Sequence, residues 1–520
     1  MLRQIKYFSV KGLKVLLLCF LSGVILTLPF TNGRLWIFAW FGFLPLFVAL
    51  KDKSGLQAFL LAYFAGIIFW AGTIWWLVHV TLAGTILLIL YLALYFGLFG
   101  FFVSSYLLST TYLPALPVRQ AGGRQATYCL LFISSIWVLL EYIRSHLLTG
   151  FPWALLGYSQ YLNLPIIQIA DVTGAWGVSF LIMLVNIVVY LALIKKQKRA
   201  IILSCLLCVL VSLGYGYYKI NFLKKSAIQK SIRVSVVQGN IPQDLKWDIN
   251  LRDFIIDRYV KLTLQAIKDN PDLIIWPEAA LPVVLEEEPF YYEKVKDLVK
   301  EIKTPVVLGV VTLRNGHYYN SSLLVSDQGE NLELYDKLHL VPFGEYIPLK
   351  KILGFLETVV PIGEITPGKE YKVFKRPAKF SVLICFEDLF PELSRRFVKK
   401  GANFLVNITN DAWYKMSSAP YQHLQASVFR AVENRVFLVR SANTGVSCFI
   451  GPSGEVVSYV KDNLRQTIFN TGYDTQRIFV EKGILSFYTA RGDVFILLLF
   501  IFTVYGIFRS VLFVKRMPLR

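Results

Sequence analysis

Long, uninterrupted apolar runs limit the fold of this chain more than any other feature of its sequence. Each run approaches the roughly 20 residues that a helix rising about 1.5 Å per residue needs to cross a bilayer. Charged residues make up only 17% of the chain and the mean hydropathy is +0.53, whereas soluble domains carry about 25% charged residues. The sequence therefore predicts a polytopic α-helical membrane protein with eight spans: Val15–Phe30, Leu35–Leu50, Leu56–Val80, Ala83–Leu113, Tyr128–Leu148, Val178–Ile194, Ile201–Tyr218 and Val494–Val514.

The basic residues indicate how these spans are oriented. A net charge of +20 would also suit a nucleic-acid partner, but Lys and Arg cluster beside the apolar runs, as the positive-inside rule describes for cytoplasmic segments. We therefore expect no nucleic-acid partner, both termini in the cytoplasm, and the region after the seventh span outside it. The basic segments assigned to the cytoplasm are Lys51-Asp-Lys53, the loop with Arg119 and Arg124, Lys195–Arg199, and the tail with Lys515, Arg516 and Arg520.

The pattern changes from Ile232 onward, where short β-branched runs alternate with amphipathic stretches. This alternation predicts a layered α/β domain, and the chain then divides into a membrane region 1–223, an extracytoplasmic domain 224–491, and a last span with its tail, 492–520. The predicted helices are Arg252–Asn270, Glu293–Ile302 and Tyr421–Glu433. The predicted strands are Ile232–Gln238, Leu273–Trp276, Pro305–Val311, Asn320–Ser326, Leu332–Leu340, Phe380–Cys385, Phe404–Ile408 and Phe437–Ser441, with a further hairpin within Ile450–Val457.

Polar and aromatic residues within the membrane region suggest further features. Glu141 and Arg144 lie three residues apart, on one helical face, and form either a local ion pair or a functional site. The connection Gly150–Asp171 is aromatic and poor in charge. It either forms a lip that contacts the lipid surface or packs against the rest of the protein without contacting lipid. An interfacial aromatic belt is predicted at Trp70, Trp75 and Trp76.

Three strand ends in the α/β domain carry groups that acyl transfer needs. Glu278 ends Ile275-Trp-Pro-Glu278, and the segment Tyr335–Glu345 contributes Lys337 and Glu345. Cys385 ends the strand Ser381–Cys385, where backbone N–H groups are expected to lower the pKa of its thiol from about 8.5. A base, a cation and a thiol suit acyl transfer through a thioester.

The other cysteines predict neither a disulfide framework nor a metal site. Cys205 and Cys208 have redox or zinc spacing, but they lie in an apolar span, so we exclude that interpretation. Cys19 and Cys129 also lie in apolar spans, and Cys448 is interpreted as a packing residue. No metal and no cofactor are expected.

Taken together, these motifs resemble the nitrilase, or carbon–nitrogen hydrolase, superfamily with its Glu-Lys-Cys triad. With seven spans before the domain and one after it, the chain is most similar to the bacterial apolipoprotein N-acyltransferases. The motifs that carry the resemblance are Gly150-Phe-Pro-Trp153, Gln238-Gly-Asn-Ile-Pro242, Trp276-Pro-Glu278, His339–Tyr346, Asn410-Asp-Ala-Trp413 and Gln422-His423.

The resemblance implies an αββα sandwich in the periplasm, anchored in the bacterial inner membrane. It also implies a ping-pong reaction in which an acyl chain passes from a phospholipid, phosphatidylethanolamine in this family, through a cysteine thioester to diacylated apolipoproteins. Glu278 would be the general base, Lys337 the oxyanion donor and Cys385 the nucleophile, with Glu345 in support. The positions that match the family's substrate site are Trp247, Glu387 and Trp413.

Two other functions remain open on the sequence. A membrane-tethered amidase would use the same triad with water as the second nucleophile. A transporter or receptor would use the outer domain only to bind ligand, but its spans should then include paired Gly/Pro-broken helices, which this sequence lacks. A lipid substrate best explains the eight spans.

Overall fold

The computed structural model describes residues 2–112, 122–195, 199–225, 230–342, 344–346, 364–480 and 484–515. Of the segments assigned above to the cytoplasm, Arg119, residues 196–198, Arg516 and Arg520 lie outside this range, as does Phe343 of the motif 339–346. The chain forms two compact units. The membrane unit comprises Met1–Tyr218 with Asp493–Arg520, and the α/β unit comprises Lys219–Gly492.

The membrane unit is almost entirely helical. Its α-helices are Leu2–Thr31, Leu44–Leu50, Gly55–Thr73, Leu82–Tyr112, Gly122–Arg144, Leu164–Ile167, Ala170–Thr173, Ala175–Lys195, Arg199–Lys225 and Val494–Lys515. Short 3₁₀ helices occupy Gly33–Trp40, Trp75–His79, Leu147–Thr149 and Leu156–Gln160. This unit is a multi-pass helical membrane domain.

Six of the described helical segments are long and apolar enough to cross a bilayer, whereas eight spans were predicted. They are Gly12–Thr31, Gly33–Leu50, Gly55–Thr73, Leu82–Ser104, Ala175–Leu193 and Arg199–Lys224. The second is not one continuous helix, because the 3₁₀ helix Gly33–Trp40 gives way to the α-helix Leu44–Leu50. The helices Gly122–Arg144 and Val494–Lys515, which correspond to the other two predicted spans, are not among these six.

Side chains in the membrane unit are distributed as lipid surroundings require. Large apolar side chains such as Leu87, Leu207 and Val211 are more than 60% exposed, which water would penalise and lipid tails would not. Small residues lie between the helices instead: a Cβ at Gly100 would approach the carbonyl oxygen of Ala58 to 2.6 Å. Close backbone contact, rather than hydrophobic exclusion, therefore holds these helices together.

Most of the connection after residue 150 is buried, which favours packing over a lipid-contacting lip. Every residue from Pro152 to Tyr161 is buried. Arg144 Nη1 donates to the carbonyl oxygens of Phe151 and Trp153, at 2.6 and 2.8 Å, and Glu141 Oε1 accepts from the backbone N–H of Leu156 at 2.7 Å. Irregular backbone at membrane depth requires such partners.

Glu141 and Arg144 thus bind backbone rather than forming a direct ion pair within the described part of the chain. The guanidinium also lies 4.8 Å from the centre of the Trp70 ring. Trp70 and Trp76 are buried and Trp75 is 43% exposed, so of these three residues only Trp75 is available to an interfacial aromatic belt, which stays a prediction.

The α/β unit contains eleven described strands in two sheets. The strands are β1 (Ser231–Gln238), β2 (Leu273–Ile275), β3 (Val306–Arg314), β4 (His317–Val325), β5 (Asn331–Asp336), β6 (Phe380–Ile384), β7 (Phe404–Thr409), β8 (Phe437–Ala442), β9 (Cys448–Ile450), β10 (Val456–Tyr459) and β11 (Gly472–Phe479). Its α-helices are Arg252–Ala266, Pro289–Ile302, Pro391–Lys399, Ala419–Asn434 and Phe487–Arg491.

One sheet has the order β11-β1-β2-β3-β4-β5 and the other β10-β9-β8-β7-β6. Pairing is parallel within β1–β3 and within β6–β8, and β11 runs antiparallel along all of β1, from Ser231↔Phe479 to Gln238↔Gly472. The Ser441 hydroxyl of β8 donates to the carbonyl oxygens of Val237 and Ile275 in the other sheet. Two sheets therefore pack together, and the parallel strands β2 and β6 end in polar segments.

Candidate active site

Glu278 lies in a tight turn directly after β2. Pro277 fixes the approach, and Ala279 has a φ of +46°, a conformation that costs free energy in a residue other than glycine. The turn touches β3 at Gly309, where a Cβ would lie 2.5 Å from the amide nitrogen of Ala279. Gly309 therefore has to lack a side chain for Glu278 to hold this position.

Lys337 follows β5 and is held between two carboxylates. Its Nζ lies 2.9 Å from Glu345 and 3.7 Å from Glu278 Oε1. Asn320 Nδ2 donates to both acids, at 2.8 Å to Glu278 and 2.9 Å to Glu345. We call Glu278, Lys337 and Glu345 the Lys337 cluster. Burial alone would lower the pKa of Lys337, but the two carboxylates outweigh it and raise that pKa, so the side chain is a cation.

Cys385 occupies a strained turn between β6 and a 3₁₀ helix, Cys385–Leu389. Its φ is +54°, which fits the sharp strand-to-helix turns that present nucleophiles. Only 9% of the residue is exposed. Asn407 Nδ2 donates to the carbonyl oxygen of Cys385 at 3.0 Å and fixes the turn from the neighbouring strand β7.

The prediction that backbone N–H groups lower the pKa of the Cys385 thiol is wrong. Burial raises this pKa above its usual value, and the Glu278 carboxylate raises it further, while Lys337 lowers it. The helix that follows is a five-residue 3₁₀ turn, too short to offset burial. The thiol is therefore protonated at rest and needs a base.

The structure brings Glu278, Lys337 and Glu345 together, and Glu278 and Lys337 act electrostatically on Cys385. Glu387, predicted to belong to the substrate site, lies in the interior instead. Glu387 is fully buried, and its carboxylate accepts from the backbone N–H groups of Leu338, His339 and Ile384 and from the Tyr335 hydroxyl. It connects the segment of Lys337 to the turn of Cys385. Trp247 is half-buried, and Trp413 is 41% exposed.

A second group of buried charges lies behind the Cys385 turn. The Arg440 guanidinium binds Asp388 and Asp411 at 3.0 and 3.1 Å, and His423 binds the same two carboxylates through its two ring nitrogens, at 2.7 and 3.0 Å. We call these four residues the Arg440 cluster. Arg440 also donates to Asn407 Oδ1 at 2.8 Å.

The charges of the Arg440 cluster balance. Burial and Arg440 would lower the pKa of His423, but the two aspartates outweigh them and raise it. Because each ring nitrogen lies against a carboxylate oxygen, which can only accept, both nitrogens carry a proton. Burial would raise the pKa of both aspartates, yet His423 and Arg440 lower it. Two cations thus meet two anions.

Sequence reasoning missed two polar residues beside the Lys337 cluster, Asn320 and Lys246. Asn320 lies inside β4, and only its pairing register places it opposite the segment of Lys337. Lys246 immediately precedes the predicted residue Trp247 and is only 2% exposed. The described residues contain no group of three or more His, Cys, Asp and Glu side chains that could hold a metal ion.

The two-sheet fold with a glutamate, a lysine and a cysteine at its strand ends is that of a carbon–nitrogen hydrolase domain. A family model described as carbon-nitrogen hydrolase matches residues 233–471, and one described as apolipoprotein N-acyltransferase N-terminal domain matches residues 22–188. A carbon-nitrogen hydrolase structure from Helicobacter pylori is similar with a TM-score of 0.38 and 17% identity, covering 48% of this chain and 89% of that chain.

Relatives that match nearly the full length of this chain show which family within this class it belongs to. An apolipoprotein N-acyltransferase from Geobacter metallireducens is 37% identical, covering 92% of each chain. Another, from Haemophilus influenzae, is 30% identical, covering 87% of this chain and 88% of its own. The chain belongs to the apolipoprotein N-acyltransferase family and is an acyltransferase.

Proposed function

We propose that this enzyme transfers a fatty acyl chain from a phospholipid to the N-terminal amine of the diacylglyceryl-cysteine of apolipoproteins, through a thioester on Cys385. The observation that carries the proposal is the buried Lys337 cation, which Glu345 and Glu278 hold, while Glu278 and Lys337 both act electrostatically on the protonated Cys385 thiol. Family membership supplies the acyl acceptor, and the membrane helices that precede and follow the α/β unit in the chain supply a reason for a lipid donor.

In the first half-reaction, Glu278 takes the thiol proton of Cys385 and the sulfur bonds to an ester carbonyl carbon of the phospholipid. The carbonyl oxygen becomes an oxyanion, which Lys337 stabilises; one such donor can contribute about 3–4 kcal/mol. The carbon–oxygen bond then breaks, the leaving alkoxide takes the proton from Glu278, and a lysophospholipid departs.

In the second half-reaction, the neutral α-amine of the apolipoprotein attacks the thioester carbonyl carbon. Glu278 takes one amine proton, the carbon–sulfur bond breaks, and the sulfur regains a proton as the amide forms. Glu345 positions Lys337 and, through Asn320, also Glu278. We propose phosphatidylethanolamine as the donor, and Trp247, Glu387 and Trp413 as residues that shape the substrate site, Glu387 acting from the interior.

We further propose an orientation and a division of the chain. The α/β region 224–491 lies in the periplasm, both termini are cytoplasmic, and eight segments cross the inner membrane. The distribution of Lys and Arg supports this topology. Labelling of single introduced cysteines with a membrane-impermeant thiol reagent in intact spheroplasts tests this topology. Asp327→Cys, in the hairpin turn between β4 and β5, should react, and Lys53→Cys should not.

The chemistry is tested with the purified full-length enzyme and acyl-labelled phosphatidylethanolamine. We expect label to appear on Cys385 as a hydroxylamine-sensitive thioester and to move to the amine of a diacylated lipopeptide when that is added. Cys448, which is buried but remote from the Lys337 cluster in sequence and strand position, provides a matched control as Cys448→Ala. Label that remains on the protein, or passes only to water, would exclude acyl transfer to the lipopeptide.

A further inference from the structure

Lys246 is a buried cation that is bound to a backbone carbonyl oxygen, not to a carboxylate of the described residues. Its Nζ donates to the backbone carbonyl oxygen of Glu278 at 2.9 Å, and the residue is 2% exposed. Within the described ranges it forms no ion pair. Burying an ammonium group against a neutral acceptor costs free energy, so its presence at this position calls for a reason beyond stability.

The charges around Cys385 provide that reason. The Lys337 cluster contains two carboxylates, Glu278 and Glu345, but one cation, which leaves an excess negative charge beside a thiol that has to ionise. Adding Lys246 makes the count neutral. Both Glu278 and Cys385 act on Lys246 electrostatically, so the ammonium group is close enough to influence both.

The position of Lys246 also supports the turn of Glu278. That turn contains the strained Ala279 and touches Gly309, and the Lys246 ammonium secures its carbonyl oxygen from the opposite segment. One side chain therefore both fixes the base and supplies a compensating charge.

We propose that Lys246 is a positioning residue of the acyl-transfer site, which holds the Glu278 turn and offsets the surplus negative charge of the Lys337 cluster when Cys385 ionises. The role of Lys246 in acyl transfer rests on the function proposed above. The effect of its charge on ionisation of the Cys385 thiol is independent of that function and can be measured without any lipid.

The charge of Lys246 is lost within an accessible pH range. Burial lowers its pKa to about 8, although Glu278 and Cys385 counteract this. Lys337 and Glu345 face Glu278. The other charged or titratable groups in the described ranges that act on Cys385 are Asp411, Tyr414 and Arg440. Below about pH 8 the ammonium favours the thiolate, and above it this support is withdrawn.

The test follows alkylation of Cys385 by iodoacetamide in the full-length enzyme, read by mass spectrometry of the Cys385 peptide across the pH range. Because only the thiolate reacts, Lys246→Met should slow alkylation at about pH 7 by about tenfold, the effect of one pKa unit. In the wild type the rate should rise less steeply with pH once Lys246 loses its charge. Lys246→Arg, which keeps the charge, should remove that flattening.

A matched control is Arg258→Met, because Arg258 also donates to backbone carbonyl oxygens, those of Gly239 and Asn240. It should keep the wild-type pH dependence of alkylation. A Lys246→Met enzyme that folds and alkylates with the wild-type profile overturns the proposal, as does a flattening that persists in Lys246→Arg. If Lys246→Met does not fold, the pH dependence of alkylation in Lys246→Arg alone decides whether the proposal holds. Absence of a lipid-derived thioester would refute only the proposed function, not the electrostatic role of Lys246.

Discussion

The Lys337 cluster and the Arg440 cluster are both buried sets of charges next to Cys385, yet they are built differently. In the Arg440 cluster two cations meet two anions, every ion pair is between 2.7 and 3.1 Å long, and the four side chains are at most 2% exposed. In the Lys337 cluster two anions share one cation, Glu278 is 3.7 Å from it, and the carboxylates keep 10% and 14% of their exposure.

This difference separates a scaffold from a reaction centre. A closed, neutral network is rigid and leaves no group free to bind a substrate. In the looser Lys337 cluster, a carboxylate can take up a proton and the Lys337 ammonium can donate to an oxyanion at little cost in reorganisation. The two are coupled through Asn407, which accepts from Arg440 and donates to the carbonyl oxygen of Cys385. Changes in the first cluster should therefore impair folding, and changes in the second should impair turnover.

The largest effect is expected at the nucleophile itself. Cys385→Ala should reduce acyl transfer by about 10⁶-fold, as loss of a catalytic nucleophile does elsewhere, while the free energy of unfolding changes by less than about 1 kcal/mol. Steady-state transfer and thermal unfolding measure the two quantities. Substantial residual turnover would show that another group carries the acyl chain.

Glu278→Gln should lower the rate of thioester formation by about 10²–10⁴-fold, because the amide cannot accept the thiol proton. Its oxygen can still accept from Asn320, so the fold should persist. Single-turnover labelling is the appropriate measurement. A variant that is inactive because it is unfolded would erase the proposed distinction between the two clusters.

Arg440→Met should destabilise the α/β unit by about 3–5 kcal/mol, because it leaves two buried carboxylates with a single cation. The readout is chemical denaturation followed in that unit, with Arg440→Lys as the control that keeps the charge. Normal stability with lost activity would instead assign the Arg440 cluster to the reaction.

Glu345→Gln should have a smaller effect, a decrease in transfer of about 10–100-fold, typical of a residue that orients a catalytic group. Lys337 would lose its closest carboxylate but keep Glu278. The measurement is kcat at saturating phospholipid. The control is Glu293→Gln, a change at an exposed residue of the helix Pro289–Ile302, which should behave as wild type.

Trp413→Ala should give the smallest change in stability, within about 0.5 kcal/mol, since the side chain is 41% exposed. If Trp413 shapes the substrate site, KM for the lipopeptide should rise while the rate of thioester formation is unchanged. No change in KM would leave the triad proposal intact and remove Trp413 from the site.

The sequence predicted the main strands and the residues at their ends because these follow local rules. Parallel β-strands read as apolar runs, and Glu278 and Cys385 stand immediately after such runs. The hairpin between β3 and β4 was missed although Asn315-Gly316, with φ values of +51° and +75°, is a strong hairpin signal. β11 was missed because it is polar and is recognisable only by its pairing with β1.

The polar network could not be predicted, because its members come from distant parts of the chain. Asp388, Asp411, His423 and Arg440 each occur in sequence as ordinary surface-type residues, and only the packing of β6, β7 and β8 brings them together. The burial of Lys246 and of the connection Pro152–Tyr161 likewise depends on tertiary contacts. The sequence shows which residues form these segments, but it does not show that they are buried.

The pairing of β1 with β11 has a consequence for how the protein is made. Ser235 on β1 and its partner Thr475 on β11 are 240 residues apart, an interval that takes on the order of 10–50 s to translate at about 5–20 residues per second. One edge of β1 therefore stays unpaired while the rest of the unit emerges, and such edges invite aggregation. The nascent chain should depend on chaperones until its last strand has been synthesised.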